Sequence, residues 1–394
     1  MVQDIVYGAY PYTKVTLHSC KEDKKMENTS KIIIAIVVIV IVIASIFAYM
    51  SLSNPTEQVS LSGSGATFPV PLLDAMITEY HATVKPNVLI DYEGIGSGGG
   101  IAALQAKTVD FAGSDAPLKE AERELAPNAL HIPETIGAVT VAYNIPDVAT
   151  GLHLTGPVIA DIFQGKITKW NDAAIQDLNS GVTLPDHDIV VAHRSDGSGT
   201  TFIFTGYLSA VSDDWANTAG LGQGKNVEWP VGLGGNGNSG VAGIIQGQEY
   251  TIGYVELAYA LENSMSVAAI KNPAGNFVSP SLETTTEAVA GKAQEGLPAG
   301  DASWSTVDVL NAPGEQAYPI VSFTYLLVYK ELNVVPGMTQ AKATALVQFL
   351  WWVVHDGQQL GPDLEYAQLP TNVVQINEAS IQSITFNGEQ LPTS

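Results

Sequence analysis

One arrangement recurs along this sequence: a short apolar run, a glycine-rich turn, and then a helical pattern. It occurs at residues 60–80, 88–107, 109–125 and 189–208. Because strands that alternate with helices form parallel sheets covered by helices, the recurrence predicts an α/β fold. Ligands of such folds bind beyond the carboxyl ends of the strands, where these turns lie.

The last of these turns carries the most specific chemistry, with the sequence Arg194-Ser195-Asp196-Gly197-Ser198-Gly199-Thr200. We expect a helix to begin at residues 198–200, and the start of a helix offers free N–H groups and a positive dipole end to an anion. Arg194 adds a permanent cation, and Asp196 could hold its guanidinium in one orientation. Taken alone, the stretch also fits a capped helix after a surface turn.

Composition limits the classes of function. The 394 residues are enough for two domains, and a hydrophobic content of 46% indicates a packed globular protein. The formal net charge of −23 argues against non-specific nucleic-acid binding, which needs a basic surface, and requires any anion site to be built locally. Cys20 is the single cysteine, and the seven histidines show no paired ligand spacing, so no metal or other cofactor is predicted.

The N-terminal part predicts membrane attachment. Residues 32–50 are uncharged and rich in Ile and Val, and at about 1.5 Å per residue they span roughly 28 Å. Basic residues cluster before this segment, so we expect residues 1–31 in the cytoplasm and the chain after a linker at 51–59 outside, on a single-pass anchor. A cleaved signal is the less favoured alternative. Residues 1–25 are typical of neither a membrane anchor nor a cleaved signal. If the protein starts at Met26, these residues are an extension of the gene model.

The sequence lacks the residues that an enzymatic function would require. Gly94, Gly96 and Gly99 formally match a dinucleotide fingerprint, but the strand after the next helix ends in a Ser-Asp-Ala-Pro turn that is better placed to meet the other glycine-rich turns. Ser198 has no nucleophile-elbow sequence around it, and His193 is interpreted as structural. The chain is therefore predicted not to be an enzyme, although a phosphatase or nucleotide enzyme is kept as an alternative.

Eight segments in a fixed order carry a family resemblance that extends from Leu61 to about Val374. They read GSGATFP, GIGSGGG, VDFAGSDAP, DIFQGKITKWND, RSDGSGTTFIFTGYL, WPVGLGGNGNSG, IGYVELAYA and DLEYAQLP. In these segments the chain resembles the substrate-binding protein of the high-affinity phosphate ABC importer. The resemblance implies a type II periplasmic-binding-protein fold, with a ligand cleft between two α/β lobes: residues 60–140 with 319–394, and residues 141–318.

The resemblance also implies which residues hold the ligand. In the first lobe they would be Thr67, Phe68, Ser97 and Asp115, and in the second Arg194, Ser198, Gly199 and Thr200, with Asp196 bracing Arg194. Many relatives have Ser-Ser after the GIG sequence, whereas this chain has Ser97-Gly98, which retains the liganding serine.

The chemistry of these residues agrees with a phosphate receptor that delivers its ligand to a permease as a monomer. Three helix starts and several hydroxyls can donate to one anion, and Arg194 can donate two parallel hydrogen bonds. Asp115, when ionised, can only accept, so it favours a ligand that carries a proton, as phosphate does and sulfate does not. Sulfate, molybdate and arsenate remain alternatives; Asp115 argues against the first two and does not exclude arsenate.

Overall fold

The structure, a computed structural model, describes residues 36–43, 58–292 and 296–394. The chain divides into a first unit, Met1–Glu57, and a second unit, Gln58–Ser394.

In the first unit only helix α1, residues 36–43, is described, and its side chains are exposed. The remainder of the predicted membrane segment 32–50 lies outside the described residues, as do residues 1–31 and most of the predicted linker. Within the described ranges, no helix is both long and apolar enough to cross a membrane. The anchor therefore stays a prediction.

The second unit is built on a mixed sheet with nine described strands in the order β2-β1-β3-β12-β4-β8-β6-β7, with β9 paired to β4. Smaller sheets join β11-β10-β5 and β13-β14. The strands are β1 Val59–Gly65, β2 Val88–Gly94, β3 Phe111–Ser114, β4 Ala129–Asn144, β5 His153–Leu154, β6 Val190–Arg194, β7 Leu233–Gly235, β8 Thr251–Glu256, β9 Ser266–Val267, β10 Ala269–Lys271, β11 Phe277–Val278, β12 Val321–Tyr329, β13 Thr385–Phe386 and β14 Glu389–Gln390.

The main sheet is parallel at its two ends and antiparallel in the middle. Strand β1 is parallel to β2 and β3, and β6 is parallel to β7 and β8, as the recurring strand–turn–helix order predicts. Strands β12 and β4 run antiparallel to each other and to their outer neighbours β3 and β8. The α/β fold is confirmed, but the central pair makes the sheet mixed rather than parallel.

Strand β4 connects the two ends of the sheet. From Ala129 to Ala138 it pairs with β12, and from Val139 to Asn144 it pairs with β8. We call β2, β1, β3, β12 and residues 129–138 the first half-sheet. Residues 139–144 with β8, β6, β7 and β9 form the second half-sheet. The change of partner lies close to the predicted lobe boundary at residue 140, and the lobe limits themselves stay a prediction.

Twelve further α-helices are described in the second unit, together with a π-helix at Tyr80–Val84 and three short 3₁₀ turns. The helices are α2 Val70–Glu79, α3 Ser97–Ala106, α4 Glu120–Leu125, α5 Gly156–Phe163, α6 Ala173–Gln176, α7 Gly199–Val211, α8 Asp213–Asn217, α9 Gly237–Gly247, α10 Leu257–Glu262, α11 Leu282–Lys292, α12 Gln340–Val353 and α13 Thr371–Gln382.

Helix α3 begins at Ser97, so the glycine run is its first turn. A Cβ atom on Gly100 would lie 2.5 Å from the Cα atom of Gly65 and 2.7 Å from the carbonyl oxygen of Gly113. Glycine has a poor helix propensity, but here it lets the helix pack directly on the strand ends. Helix α9 likewise begins at a glycine, Gly237.

The core continues across both half-sheets and includes the fully buried Trp170, Trp215 and Trp304. Helix α12 buries Phe349, Leu350 and other apolar side chains. Burial of such a side chain contributes roughly 1.5–3 kcal/mol relative to exposure. On α12, Trp352 is buried in the core and Trp351 is half-buried against it.

Candidate anion-binding site

The residues predicted to bind the ligand come together at the carboxyl ends of β1, β2, β3 and β6. Arg194 is the last residue of its strand, and the others lie in the turn after a strand or in the first turn of the helix that follows. All but Asp196 are buried; they are Thr67, Phe68, Ser97, Asp115, Arg194, Ser198, Gly199 and Thr200. Asp196 is half-buried beside them. Four helices start here, since α9 joins the three that were predicted.

Arg194 ends β6 with its side chain 1% exposed. Its Nε donates to Oδ1 of Asp196 at 2.7 Å, and Nη2 donates to the other carboxylate oxygen of Asp196. Nη1 donates to Oγ1 of Thr200 at 3.3 Å. A guanidinium has five N–H groups, so this pattern leaves one on each terminal nitrogen for a ligand.

Asp196 is fixed by more than its arginine. Its Oδ1 also accepts from the N–H of Gly237, at 3.1 Å, so it connects β6 to the start of α9. Burial raises the pKa of Asp196, but the hydrogen bond from Arg194 and the charge of Arg194 lower this pKa by more than burial raises it. The pKa of Asp196 is therefore below its ordinary value. The carboxylate therefore stays ionised and holds the guanidinium in one orientation.

The start of α7 points its donors toward the same place. Ser198 caps the helix by accepting from the N–H of Thr201 at 3.0 Å, so its own hydroxyl proton is left to donate. The N–H groups of Gly199 and Thr200 have no acceptor inside the helix. A Cβ atom on Gly199 would collide with Ser97 Oγ and the Asp115 carboxylate, so glycine allows the first half-sheet to approach this helix.

Two threonines are left with hydroxyl protons to donate. Thr67 Oγ1 accepts from the backbone N–H and from Nδ2 of Asn238, at 3.2 and 3.0 Å. Thr200 Oγ1 accepts from Arg194 Nη1 and from Asn238 Nδ2, the latter at 3.1 Å. A hydroxyl oxygen has two acceptor positions and one proton, so both threonines have their acceptor positions filled. Both are fitted to donate to an anion.

Asp115 is the acidic member of the site and is 1% exposed. Its Oδ1 accepts from the hydroxyl of Thr324 at 2.8 Å, and its Oδ2 lies 3.4 Å from Ser97 Oγ. Ser97 Oγ also accepts from the backbone N–H of Asp115 at 3.0 Å. Burial raises the pKa of Asp115 to about 7, against the lowering effects of the Thr324 hydrogen bond and the charge of Arg194.

Contacts between the two half-sheets close the site. The N–H of Gly98 donates to the carbonyl of Gly197 at 2.7 Å, and Tyr259 OH donates to the carbonyl of Thr67 at 2.7 Å. At the edge of the cleft, Lys225 is paired with Glu122 of α4.

Several residues of the site were not predicted, namely Asn238, Tyr259, Thr324 and Glu134. Asn238 and Tyr259 lie within the quoted segments WPVGLGGNGNSG and IGYVELAYA, so their segments carried a signal. Thr324 and Glu134 are polar residues inside strands that are mostly apolar, which is the signal that could have found them. Burying a polar group requires a partner, and only the fold shows that these two face each other.

His193, which is interpreted from the sequence as structural, packs against an aromatic side chain in this fold. His193 stacks on Trp229, with ring centroids 5.0 Å apart, and its pKa is lowered by burial. Across the described residues, no group of three or more His, Cys, Asp and Glu side chains could hold a metal ion.

Comparison with known proteins first defines the class. The PBP superfamily domain matches residues 52–356. The chain is 44% identical over 330 residues to the phosphate-binding protein PstS of Xylella fastidiosa, which covers 82% of this chain and 85% of that protein. It is 38% identical over 369 residues to PstS of Methanocaldococcus jannaschii, which covers 90% of this chain and 93% of that one. The chain therefore belongs to the PBP superfamily and, within it, to the family of these phosphate-binding proteins.

Solved structures share the fold. PfluDING, a high affinity periplasmic phosphate-binding protein bound with phosphate at pH 8.5, has a TM-score of 0.63 and 22% identity, covering 81% of this chain and 93% of that one. A phosphate-binding protein from Stenotrophomonas maltophilia has the same TM-score and coverage at 19% identity. The resemblance noted in the sequence and the PBP-like α/β fold are thus confirmed.

Proposed function

We propose that this chain binds inorganic phosphate between two lobes and delivers it to the permease of an ABC importer. The observation that carries the proposal is the set of free donors around Arg194. Among the described residues, no acceptor is bonded to two guanidinium N–H groups, the hydroxyls of Thr67, Thr200 and Ser198, and the N–H groups at the start of α7. Donors in that number, converging in a dry site around a cation, are suited to a multivalent oxyanion.

Asp115 makes phosphate the preferred oxyanion. A carboxylate whose oxygens are held by Thr324 and Ser97 presents an acceptor to the ligand, and phosphate at neutral pH carries at least one proton to give it. Sulfate brings no proton and would leave a buried acceptor unpaired and repelled by the ligand. Leaving such a group unpaired costs about 3 kcal/mol or more. Arsenate carries protons as phosphate does, so it is the second candidate ligand.

The remaining predicted residues have assigned roles in this proposal. Ser97 orients Asp115, and Phe68 contributes its backbone N–H, because its side chain is buried against Tyr366. Asp196 braces Arg194. Residues 60–140 with 319–394 act as one lobe and residues 141–318 as the other. The change of partner along β4 and the contacts between the half-sheets support this division.

The first unit has a proposed role as well. The uncharged segment 32–50 would anchor a monomeric receptor in the cell membrane with the second unit outside, close to the permease. The relatives' name as phosphate-binding proteins supports a receptor rather than an enzyme. Carbonate extraction of native membranes tests the anchor, since an anchored chain stays in the pellet. Detection of peptides from residues 1–25 would contradict their assignment as a gene-model extension.

Calorimetric titration of the purified full-length protein with phosphate tests the site. Arg194→Ala should lower the affinity by at least about 100-fold, since two charge-assisted hydrogen bonds contribute about 1.5–3 kcal/mol each. Arg123→Ala is the matched control, because it removes the same group from a surface contact with the carbonyls of Asp301 and Ala302. Wild-type affinity in Arg194→Ala would refute the assignment, and turnover of a phosphoester would support the enzyme alternative.

A further inference from the structure

Glu134 is a second buried carboxyl group behind Asp115. It lies on β4, is 1% exposed, and its Oε1 is 3.3 Å from the hydroxyl oxygen of Thr324. The same hydroxyl donates to Asp115 Oδ1 at 2.8 Å. Two carboxyl groups therefore share one hydroxyl group between them.

The number of protons shared by Asp115, Thr324 and Glu134 decides which of these groups donates and which accepts. A threonine hydroxyl has one proton, so it can donate to Asp115 or to Glu134 but not to both. If both carboxyl groups were ionised, one oxygen would face the hydroxyl without a proton, and two like charges would be buried together. One added proton completes the chain, with one carboxyl donating to Thr324 and Thr324 donating to the other.

The surroundings place that proton on Glu134. Asp115 has the Ser97 hydroxyl within 3.4 Å and the charge of Arg194 nearby, and both favour its ionised form. The carboxyl group of Glu134 contacts no donor other than Thr324 in the described part of the chain. Burial raises the pKa of Glu134 to about 8, and the charge of Asp115 adds to this effect.

Groups on the neighbouring elements do not supply a compensating charge. His131, on the same strand, is neutral because burial lowers its pKa to about 3. Tyr92, on β2, stays neutral because burial and the nearby carboxylates raise its pKa. From the C-terminal part, the Gln358 side chain donates to the carbonyl of Glu134 at 2.7 Å. Asn377 donates likewise to the carbonyl of Pro133. The carboxylate of Asp196 is paired with Arg194.

We propose that Glu134 is a positioning residue of the anion site. As a neutral acid it donates to Thr324, and this bond directs the Thr324 hydroxyl to Asp115. Asp115 thereby remains an acceptor for the ligand's proton. This inference rests on the proposed phosphate function. A bound anion adds negative charge close to Glu134 and so favours its neutral form. Above the pH at which Glu134 loses its proton in the ligand-free protein, the protein must therefore take up a proton when it binds phosphate.

Calorimetry of the purified full-length protein with inorganic phosphate tests this coupling. Titrations at about pH 7 and about pH 9, each in two buffers of different ionisation enthalpy, count the protons taken up on binding. The wild type should take up close to one proton near pH 9, and Glu134→Gln should take up none, because the amide keeps a donor without titrating. Between these pH values, wild-type affinity should fall about tenfold relative to the variant. Glu389→Gln, with the same change of charge at an exposed position of β14, should behave as the wild type.

The outcomes separate the two proposals. If the wild type does not bind phosphate, the proposed function fails. If it binds phosphate but takes up no proton near pH 9, the role of Glu134 is overturned, and this result needs no variant to fold. Identical pH profiles for the wild type and Glu134→Gln would overturn it as well.

Discussion

The Arg194–Asp196 pair allows a quantitative prediction for Asp196→Asn. The arginine side chain is 1% exposed and that of Asp196 is 13% exposed, so water compensates little for a lost partner. Removing one member of a buried ion pair costs about 3–5 kcal/mol. Because asparagine keeps one oxygen that can accept from Nε, we expect Asp196→Asn to lower the free energy of unfolding by about 2–3 kcal/mol.

Urea denaturation of the full-length protein, with and without phosphate, measures this loss. The Nη2 N–H group released from Asp196 would bond to the ligand, so saturating phosphate should stabilise the variant more than it stabilises the wild type. Asp363→Asn, at an exposed position, is the control and should change stability by less than about 0.5 kcal/mol. An Asp196→Asn protein as stable as the wild type without ligand would refute the idea that this carboxylate holds the arginine.

The same pair predicts a pH dependence. The folded-state pKa of Asp196 is below its ordinary value, so its contribution to stability is complete above that ordinary value, about 3.9. The contribution is lost as the pH falls through the lowered folded-state pKa. The difference in stability between the wild type and Asp196→Asn should therefore be constant near neutral pH and shrink in strong acid.

Three other outcomes follow from the site. Asp115→Asn should lower the ratio of phosphate affinity to sulfate affinity by tenfold or more in competition titrations, because the amide can donate to a bare sulfate oxygen. An unchanged ratio would count against Asp115 as the group that selects phosphate. In the wild type the same ratio should fall as the pH is lowered from about 8 to about 5, since Asp115, with a pKa of about 7, becomes a donor in acid; a flat profile would contradict this. Glu122→Gln should speed phosphate release about fivefold in stopped-flow measurements by weakening its pair with Lys225, and an unchanged rate would show that the pair does not hold the cleft shut.

Local patterns in the sequence were enough to predict the α/β fold, whereas the residues that lie around Arg194 were selected from the family resemblance of the segments that contain them. Glycine-rich turns after apolar runs predicted the parallel strands and the helix starts, because those features depend on a few neighbouring residues. The antiparallel placement of β4 and β12 depends on pairing between distant segments, which no local pattern encodes. The start of helix α3 inside the glycine run has a related cause, since Gly100 is required by the packing of this helix on Gly65.

The donors contributed by distant segments could not be assigned from the sequence. Asn238 bonds to Thr67, 171 residues away, and Thr324 bonds to Asp115, 209 residues away. Their roles appear only when the two half-sheets meet, and neither lies in a pattern that is specific to anion binding. Glu134 shows the same limit, because an acidic residue inside a buried strand reveals nothing of its partner until the fold is known.

The relative affinity for phosphate and sulfate tests the central claim most directly. Calorimetric titration of the full-length wild-type protein near pH 8, where most of Asp115 is ionised, should show phosphate binding at least about 100-fold more tightly than sulfate. Equal affinity for the two anions, or tighter binding of sulfate, would contradict the account of the site.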